Sequence, residues 1–386
     1  MGSVLEKAKQ LNKEFKNDNL IIKSNVVPVY NRLPCKAFGM DYPLFGGLPY
    51  GRICVYSGQP HSGKTTAACC ELAAYQKANP DKVSVYIDVE HSLDIKHQAR
   101  MNGIDLDKLY YVNPIGLSGE QILDMIVELQ KDSDDIGMIV LDSIPALLPE
   151  IVLENDLTKD SGIRGTIAKT LHKFLAEMTQ LLSAKDNILI LINQVRLAGT
   201  TFTGAPIYKE PGGDAPKYYS SVSVRFGTRT FTKDDNMDAC KPDGEGADGF
   251  RLKFKITKNK TAPCNRGGGF ITYRYATGLD WLHDLLEIAI QFDFIHRVNN
   301  VTYELVNLET GEVYLDESGN ALRGKKVDLI EYINTNKVFQ NTYVEMLNKF
   351  ISADDKCFGT LLDEETSKEI DAEDKALEKT DNMEVV

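Results

Sequence analysis

The positions of the apolar residues indicate alternating strands and helices over the first half of the chain. Two short, wholly apolar runs, Met138 to Leu141 and Ile188 to Ile192, are typical of strands that are buried on both faces. The stretch from Ile163 to Leu182 instead has apolar residues three or four positions apart, which is the spacing of an amphipathic helix. Repeated alternation of this kind from about residue 33 predicts an α/β domain with a mainly parallel central sheet.

The segments on either side of this core have different patterns. Residues 3–17 have one apolar stripe, which predicts a helix, and the short apolar run from Leu20 to Ile22 predicts a strand. Such a small arm has little core of its own, so we expect it to pack on another surface, such as a neighbouring subunit. From Leu279 onward an apolar helix, a hairpin-like stretch around Thr310-Gly311 and a last helix predict a small α+β domain. The predicted organisation in chain order is an arm (1–32), a core (33–277), a C-terminal domain (278–352) and an acidic disordered tail (353–386).

Composition and charge narrow the class of protein. Apolar residues make up 42% of the chain and charged residues 26%, as in ordinary globular proteins. No apolar run approaches the ~20 residues of a membrane span, and the N-terminus lacks the apolar core of a signal peptide. We therefore expect a cytoplasmic protein with no membrane partner. The formal net charge is −12, but residues 353–386 hold 12 acidic and 4 basic residues, so the acidic total does not exclude a nucleic-acid partner.

The clearest chemical signal is a run of eight residues that matches the phosphate-binding P-loop pattern at every required position. The run is Gly58, Gln59, Pro60, His61, Ser62, Gly63, Lys64 and Thr65. It follows a predicted strand and opens a predicted helix, so backbone N–H groups and the positive helix end converge on phosphate oxygens. We expect the lysine to reach the β- and γ-phosphates of ATP and the threonine hydroxyl to bind Mg²⁺.

Three acidic residues follow predicted strands and are candidates for the chemistry beside the P-loop. Asp142 ends the strand from Met138 to Leu141, where a P-loop enzyme places a carboxylate that organises Mg²⁺; the alternative is a cap on the following turn. Asp88 and Glu90 follow the predicted strand from Val83 to Ile87. Either carboxylate has the chemistry of a general base that orients an attacking water, and the alternative for both is a solvated loop.

Two later segments have compositions that suit contact with nucleic acid. Val195 to Pro216 is rich in Gly, Thr and Pro and has no period, which predicts a long loop. Basic and aromatic residues in it, such as Arg196 and Phe202, suit single-stranded DNA, but a disordered surface loop explains the composition equally well. From Arg251 to Ile256 basic and apolar residues alternate strictly, which predicts a strand with one solvated face.

Five motifs that occur in order resemble those of the bacterial RecA recombinase family. They are Gly58 to Thr66, DVEHSLD at 88–94, LDSIPALLPE at 141–150, INQVR at 192–196 and KNKTAP at 258–263. The resemblance runs from about Leu11 to about residue 350. It implies a RecA-type P-loop ATPase core with a helix-strand arm and a small α+β C-terminal domain. It also implies an ATP-dependent recombinase that forms a helical filament on single-stranded DNA, pairs it with homologous duplex DNA and exchanges strands.

The resemblance also implies roles around ATP. Glu90 corresponds to the glutamate that activates water, and Gln194 corresponds to the residue that senses the γ-phosphate and links it to the loop that follows. Lys258 and Lys260 correspond to a pair that reaches the ATP of a neighbouring subunit. The implied nucleotide contacts are Asp94, His97 and the run from Gly58 through Thr66. His97, or Gln98 beside it, stands where the family has an adenine-stacking tyrosine.

For DNA, the resemblance implies two binding loops, Glu154 to Arg164 and Val195 to about Pro211. The candidate DNA-binding residues are Arg164, Arg196, Thr200, Phe202, Gly212 and Gly213.

Two other functions stay open. One is a hexameric ring helicase on the same core fold; the arm and the Lys-Asn-Lys segment at 258–260 favour the filament. The other is a recombination mediator that binds nucleotide without hydrolysis, and the presence of Lys64, Glu90 and Asp142 argues against it.

Overall fold

The chain consists of two compact units. The computed structural model describes residues 3–17, 20–23, 30–154, 166–200, 206–233, 238–239, 244–351, 360–362, 367–368 and 370–372. The units are Met1–Asn31 and Arg32–Val386, so the first unit corresponds to the predicted arm. Among the helices that the structure describes, none combines the length and the hydropathy that a membrane crossing needs.

Helices alternate with strands over much of the chain, with α1 in the smaller unit and the other described elements in the larger one. The helices are α1 (Val4–Glu14), α2 (Phe38–Asp41), α3 (Lys64–Ala78), α4 (Ile95–Asn102), α5 (Gly119–Asp132), α6 (Glu150–Glu154), α7 (Thr166–Lys185), α8 (Ala215–Tyr219), α9 (Trp281–Gln291), α10 (Lys326–Thr335) and α11 (Lys337–Ile351). The strands are β1 (Arg32–Leu33), β2 (Leu48–Pro49), β3 (Ile53–Gly58), β4 (Val83–Asp88), β5 (Leu109–Val112), β6 (Ile136–Asp142), β7 (Ile188–Gln194), β8 (Arg196–Thr200), β9 (Pro206–Lys209), β10 (Val222–Phe226), β11 (Thr230–Lys233), β12 (Asp238–Ala239), β13 (Gly249–Asn259), β14 (Gly268–Arg274), β15 (Gly278–Leu279), β16 (Ile295–Arg297), β17 (Tyr303–Leu305) and β18 (Arg323–Gly324).

In the smaller unit, one amphipathic helix is joined to the short segment that follows it. Ser3 and Glu6 form a capping box at the start of α1, which satisfies N–H groups that the first turn leaves without helical partners. The Asn12 side chain donates to the Ile21 carbonyl oxygen at 3.1 Å and accepts from the Ile21 N–H at 2.9 Å. Residues 20–23 form no strand, contrary to the prediction, because a strand needs a hydrogen-bonded neighbour and these residues bond to a side chain instead.

An eleven-stranded sheet forms the centre of the larger unit, and its long part is parallel. The order along it is β12-β11-β13-β10-β3-β7-β6-β4-β5, with β14 and β15 branching from β13. The six strands from β10 to β5 pair in parallel, whereas the β13 side is antiparallel. The α/β prediction is confirmed. The strongly apolar strands β6 and β7 lie in the middle of the sheet, where both faces are covered.

Each face of the sheet has its own core, and a third core lies in the C-terminal region. One face packs against α3, with Leu72 among its buried residues. The opposite face packs against α5 and α7, as the predicted spacing from Ile163 to Leu182 requires. The third core centres on α9 and includes Ile288, Tyr343 and Leu361. The P-loop helix α3 and the helices α5 and α7 therefore cover opposite faces of one sheet.

Part of the acidic C-terminal segment packs on the rest of the larger unit, to which it belongs. Leu361, Leu362 and Ile370 are buried, the Gln291 side chain donates to the Thr360 carbonyl oxygen at 3.2 Å, and Asp371 forms an ion pair with Lys255. At these positions the structure differs from the predicted disordered tail, because apolar side chains spaced along an acidic sequence are sufficient to cover an apolar surface.

A buried carboxyl group next to the P-loop strand makes the stability of this fold depend on pH. Glu71, in α3, is fully buried near Cys35, Cys54 and Tyr56, and its burial raises its pKa to about 8. The unfolded chain releases this proton near pH 4.3. The stability that the protonated group contributes is therefore complete below about pH 4 and is lost as the pH rises towards 8.

We expect Glu71→Gln to remove most of this dependence, a change on the order of 3–5 kcal/mol between pH 4.5 and 9. Urea unfolding of the parent and the variant across this range measures it, with the exposed Glu128→Gln on α5 as the matched control. Identical pH profiles for the parent and Glu71→Gln would contradict the assignment.

Candidate functional site

The ends of four parallel strands bring the predicted site residues to one edge of the sheet. In the register of β3 and β7, Gly58 lies beside Gln194, and in that of β4 and β6, Asp88 lies beside Asp142. The carboxyl ends of parallel strands in α/β sheets form the crevice in which ligands bind. The residues singled out in separate motifs of the sequence are therefore neighbours.

The P-loop has the tight backbone that its glycines permit. Gly63 has φ = 86°, and a Cβ atom there would lie 2.3 Å from the Leu252 side chain, so only glycine fits. The Lys64 Nζ atom donates to the carbonyl oxygens of Gly58 (3.2 Å) and Gln59 (2.8 Å) and to the Ser62 hydroxyl (3.3 Å). The ammonium group thus lies inside the loop, at the start of α3.

The charge on Lys64 is destabilised where it lies. Burial lowers its pKa to about 8, and nearby Arg225 acts in the same direction, although Asp142 and Glu90 act against both. An anion with more than one negative charge, such as a polyphosphate, would favour the protonated form, because it offsets the loss of solvation.

Asp142 lies next to the P-loop threonine, as the magnesium prediction requires. Its Oδ2 atom accepts from the Thr65 hydroxyl at 2.8 Å and from the Tyr86 hydroxyl at 2.6 Å. Burial raises the pKa of Asp142, and these two hydrogen bonds oppose the rise. The described contacts of the carboxylate are not those of a cap on the following turn, the alternative that the sequence left open. A hydroxyl and a carboxylate side by side are the oxygen donors that Mg²⁺ prefers.

The two candidate bases have different environments. Glu90 is exposed, and its Oε1 atom accepts from the Gln194 amide at 2.5 Å and from the Ser143 hydroxyl. Asp88 is buried, and its Oδ2 atom accepts from the Leu93 N–H at 3.0 Å and the Tyr111 hydroxyl at 2.7 Å. Glu90 is accordingly accessible to a substrate water, whereas Asp88 holds the loop that follows β4.

The contact with Gln194 leads directly into a β-hairpin. The Val195 N–H donates to the carbonyl oxygen of P-loop residue Gly58 at 3.0 Å, and β8 begins at the next residue and pairs with β9. The segment predicted as a loop without period therefore contains two paired strands. Cross-strand hydrogen bonds decided this local structure, and the Gly- and Thr-rich composition does not reveal them.

The predicted DNA-binding residues are only partly within the described chain. Arg196 is exposed at the base of the hairpin, and Thr200 ends β8. Arg164 and Phe202 lie outside the described residues.

Gly212 and Gly213, the other two predicted DNA-binding residues, follow the hairpin with φ values of 95° and 68°. A Cβ atom on Gly212 would lie 2.9 Å from Ile144. This pair forms a tight turn close to the sheet.

The predicted adenine contacts make local interactions. Asp94 caps α4 by accepting from the His97 N–H at 2.9 Å, and the His97 ring is hydrogen-bonded to Arg100 at 3.2 Å. Both residues are exposed. Within the part of the chain that the structure describes, these hydrogen bonds of Asp94 and His97 are made inside α4 and its cap, away from the P-loop residues.

Lys258 and Lys260 lie where β13 ends, towards the end of the sheet that is farther from the P-loop of their own chain. Lys258 pairs with Ser223, which pairs with Val55 near the start of β3. Since Val55 lies three residues before Gly58 in β3, Lys258 is about 10 Å from the P-loop as measured along the strand.

The two ammonium groups lie together at the end of α8. Lys258 Nζ donates to the Lys217 carbonyl oxygen, and Lys260 Nζ donates to that of Tyr218 at 2.8 Å. Burial, followed by the charge of Lys260, lowers the pKa of Lys258 to about 8. Carbonyl groups at a helix end thus hold two mutually repelling cations in place.

Several contributors to the site were not identified from the sequence. Tyr86 and Ser143 donate to the two key carboxylates, and Asn193 joins β7 to the segment after the hairpin through Pro211. The position of Ser143 directly after Asp142 is the signal in the sequence, since the residue that follows a strand of the site lies at the same end of the sheet.

The fold and this edge of the sheet define a P-loop nucleotide-binding protein of the α/β class. The chain belongs to the RecA family: the family described as the RecA N-terminal domain matches residues 3–280. Protein RecA of Sulfurovum sp. (strain NBC37-1) is 34% identical over 263 residues, which cover 68% of this chain and 70% of that protein. Protein RecA of Thermus aquaticus is 34% identical over 269 residues (69% and 74%), and that of Mycoplasma pneumoniae is 30% identical over 337 residues (84% and 94%).

The lowered pKa of Lys64 predicts that nucleotide binding takes up a proton. Below about pH 7.5 we expect the Kd for ATP to be constant. Above pH 8, where the free chain loses the ammonium proton, affinity should fall by up to about tenfold per pH unit. Titration with a fluorescent ATP analogue from pH 7.5 to 9.5 measures the slope. Lys64→Arg is the matched control, since its guanidinium stays charged; an equal slope in both proteins would refute the prediction.

Proposed function

We propose that this chain is a DNA-dependent ATPase and recombinase, which assembles as a helical filament on single-stranded DNA and pairs it with homologous duplex DNA. The observation that best supports this proposal is the hydrogen bond from the Gln194 side chain to Glu90 at 2.5 Å. Gln194 lies two residues before Arg196, where the hairpin begins. It connects the accessible carboxylate beside the P-loop to the segment proposed to bind DNA. A change at the nucleotide is therefore transmitted to the hairpin through one side-chain contact.

The proposed hydrolysis uses groups that are already adjacent. Lys64 would bind the β- and γ-phosphates, and Mg²⁺ would be held by Thr65 with support from Asp142. The ion supplies positive charge to the phosphate oxygens. Glu90 would accept a proton from the attacking water, and Gln194 and Ser143 hold its carboxylate in position.

The position of the two lysines supports ATP bound between subunits. Lys258 and Lys260 lie towards the end of the strands that is farther from their own P-loop. After assembly they would instead contact the phosphates bound to a neighbouring subunit. Cations supplied in trans stabilise the charge of the transferring phosphoryl group, as an arginine finger does.

The exposed apolar residues of the arm support assembly in the same way. Val4, Leu5, Phe15 and Leu20 are all exposed in the smaller unit. An apolar arm of this kind favours a partner surface on another subunit, and we propose that it packs on the adjacent protomer of a filament.

A ring-shaped helicase on the same core is the second candidate for the assembled state. The arm and the lysine pair favour the filament, and electron microscopy of the chain with DNA and a non-hydrolysable ATP analogue distinguishes rings from helices.

The central test of function is phosphate release with and without single-stranded DNA. Stimulation by DNA supports the proposal, and ATP binding with no release under either condition would favour the mediator.

Glu90 and Asp88 provide a matched test of the catalytic assignment. Glu90→Gln should bind ATP and DNA with parent affinity but lower the rate of phosphate release by at least about a hundredfold, the usual contribution of a general base. Asp88→Asn should lower thermal stability, because its carboxylate is buried and accepts hydrogen bonds. Parent-like hydrolysis by Glu90→Gln would transfer the role to another group.

Action in trans is tested by mixing variants. Lys258→Ala should retain ATP binding by the free chain yet lose DNA-dependent hydrolysis, since the lysine meets ATP only at an interface. When it is mixed with Lys64→Ala protein, some interfaces combine an intact P-loop with an intact lysine pair, and part of the activity should return. If mixed filaments form but recover no activity at any ratio, action in trans is excluded.

A further inference from the structure

An ion pair joins β10, the strand beside the P-loop strand, to the returning end of the hairpin. Arg225, in β10, is 4% exposed, and its Nη2 atom donates to Glu210 Oε1. The Glu210 side chain is itself only 9% exposed. Glu210 directly follows β9, so this contact fixes the hairpin where it returns to the sheet.

The register places Arg225 next to the phosphate-binding loop. Arg225 pairs with Ser57, the residue before Gly58, and on its other side it pairs with Lys255. The charge of Arg225 also influences Lys64, which shows that the ion pair lies within electrostatic reach of the site for phosphate. A backbone change at the P-loop strand therefore acts on the strand that carries Arg225.

Both ends of the hairpin are thus attached to the P-loop strand or its neighbours. The departing end is held by the bond from the Val195 N–H to Gly58. The returning end is held by the Arg225–Glu210 pair and by the Asn193 side chain, which donates to the Pro211 carbonyl oxygen at 3.1 Å. The hairpin base is therefore held on the sheet at both of its ends.

We propose that Arg225 and Glu210 are positioning residues that couple the P-loop to the hairpin. Their ion pair keeps the returning strand in register, so that DNA on the hairpin and ATP at the P-loop act on one rigid unit. This inference rests on the proposed function, because it takes the hairpin as the DNA-binding element. Neither residue touches the reacting groups; they act through β10 and β9.

Three variants separate coupling from folding. Glu210→Gln keeps the shape but leaves the guanidinium buried without its carboxylate. The double change Arg225→Leu with Glu210→Leu removes both charges, and apolar replacement of a buried ion pair usually preserves the fold. The charge exchange Arg225→Glu with Glu210→Arg restores an ion pair. Glu287→Gln is the matched control, since Glu287 forms a part-buried pair with Arg251 at 2.9 Å, away from the hairpin.

The readout is the ratio of phosphate release with single-stranded DNA to release without it, for each folded variant. We expect the ratio to fall at least about fivefold in Glu210→Gln and in the double leucine variant, the lower end of usual coupling between two sites. The charge exchange should recover part of it. Glu287→Gln should keep the parent ratio, even if thermal melting shows that the variant is less stable. If the ion pair of Arg225 and Glu210 were purely structural, all of these variants would lose stability and none would lose the stimulation by DNA.

A parent-like ratio in the folded double leucine variant would overturn the inference. If Glu210→Gln does not fold, the double leucine variant alone decides between the two outcomes. The parent is measured first. If DNA does not stimulate the parent, the proposed function itself fails and the inference falls with it. If DNA stimulates the parent and also the double leucine variant equally, only the inference fails.

Discussion

The parallel pairing of β3 with β7 is the constraint on which the candidate site depends. It places Gly58 beside Gln194, and the Gly58 carbonyl oxygen then accepts from both the Val195 N–H and Lys64 Nζ. One backbone oxygen thereby joins the P-loop, its lysine and the start of the hairpin. A slip of one residue would turn every side chain of the strand to the opposite face, and the two buried cores oppose such a slip.

Electrostatics at this edge explains why a magnesium–nucleotide complex suits the site. Burial lowers the pKa of Lys64 and raises that of Asp142, so solvation is lost for a cation and an anion that lie close together. A nucleotide with a bound divalent cation carries negative charge on its phosphates, opposite to that of Lys64, and positive charge on the metal ion, opposite to that of Asp142. It would favour the charged form of each residue, and the free energy that burial costs would be offset on binding.

The same sheet separates functions by position. The nucleotide residues lie at the carboxyl ends of the parallel strands, whereas Lys258 is level with Val55 in β3, about 10 Å from Gly58 along the strand. In the proposed assembly the lysine pair would meet the P-loop of a neighbouring subunit, and hydrolysis would then depend on that neighbour.

The sequence by itself determined the parallel α/β core, the P-loop and the three carboxylates, because these follow from local periodicity and from residue spacing within one strand-turn-helix unit. Residue chemistry alone did not distinguish Asp88 from Glu90, since both carboxylates follow the same strand. The family resemblance favoured Glu90, and the structure adds that the two carboxylates have different partners, Tyr111 and Gln194. The sequence also missed the hairpin, the packing of Leu361 and the pair of Arg225 with Glu210. Tertiary structure decided these features, because each depends on hydrogen bonds or buried contacts between segments whose separation along the chain leaves no periodic trace.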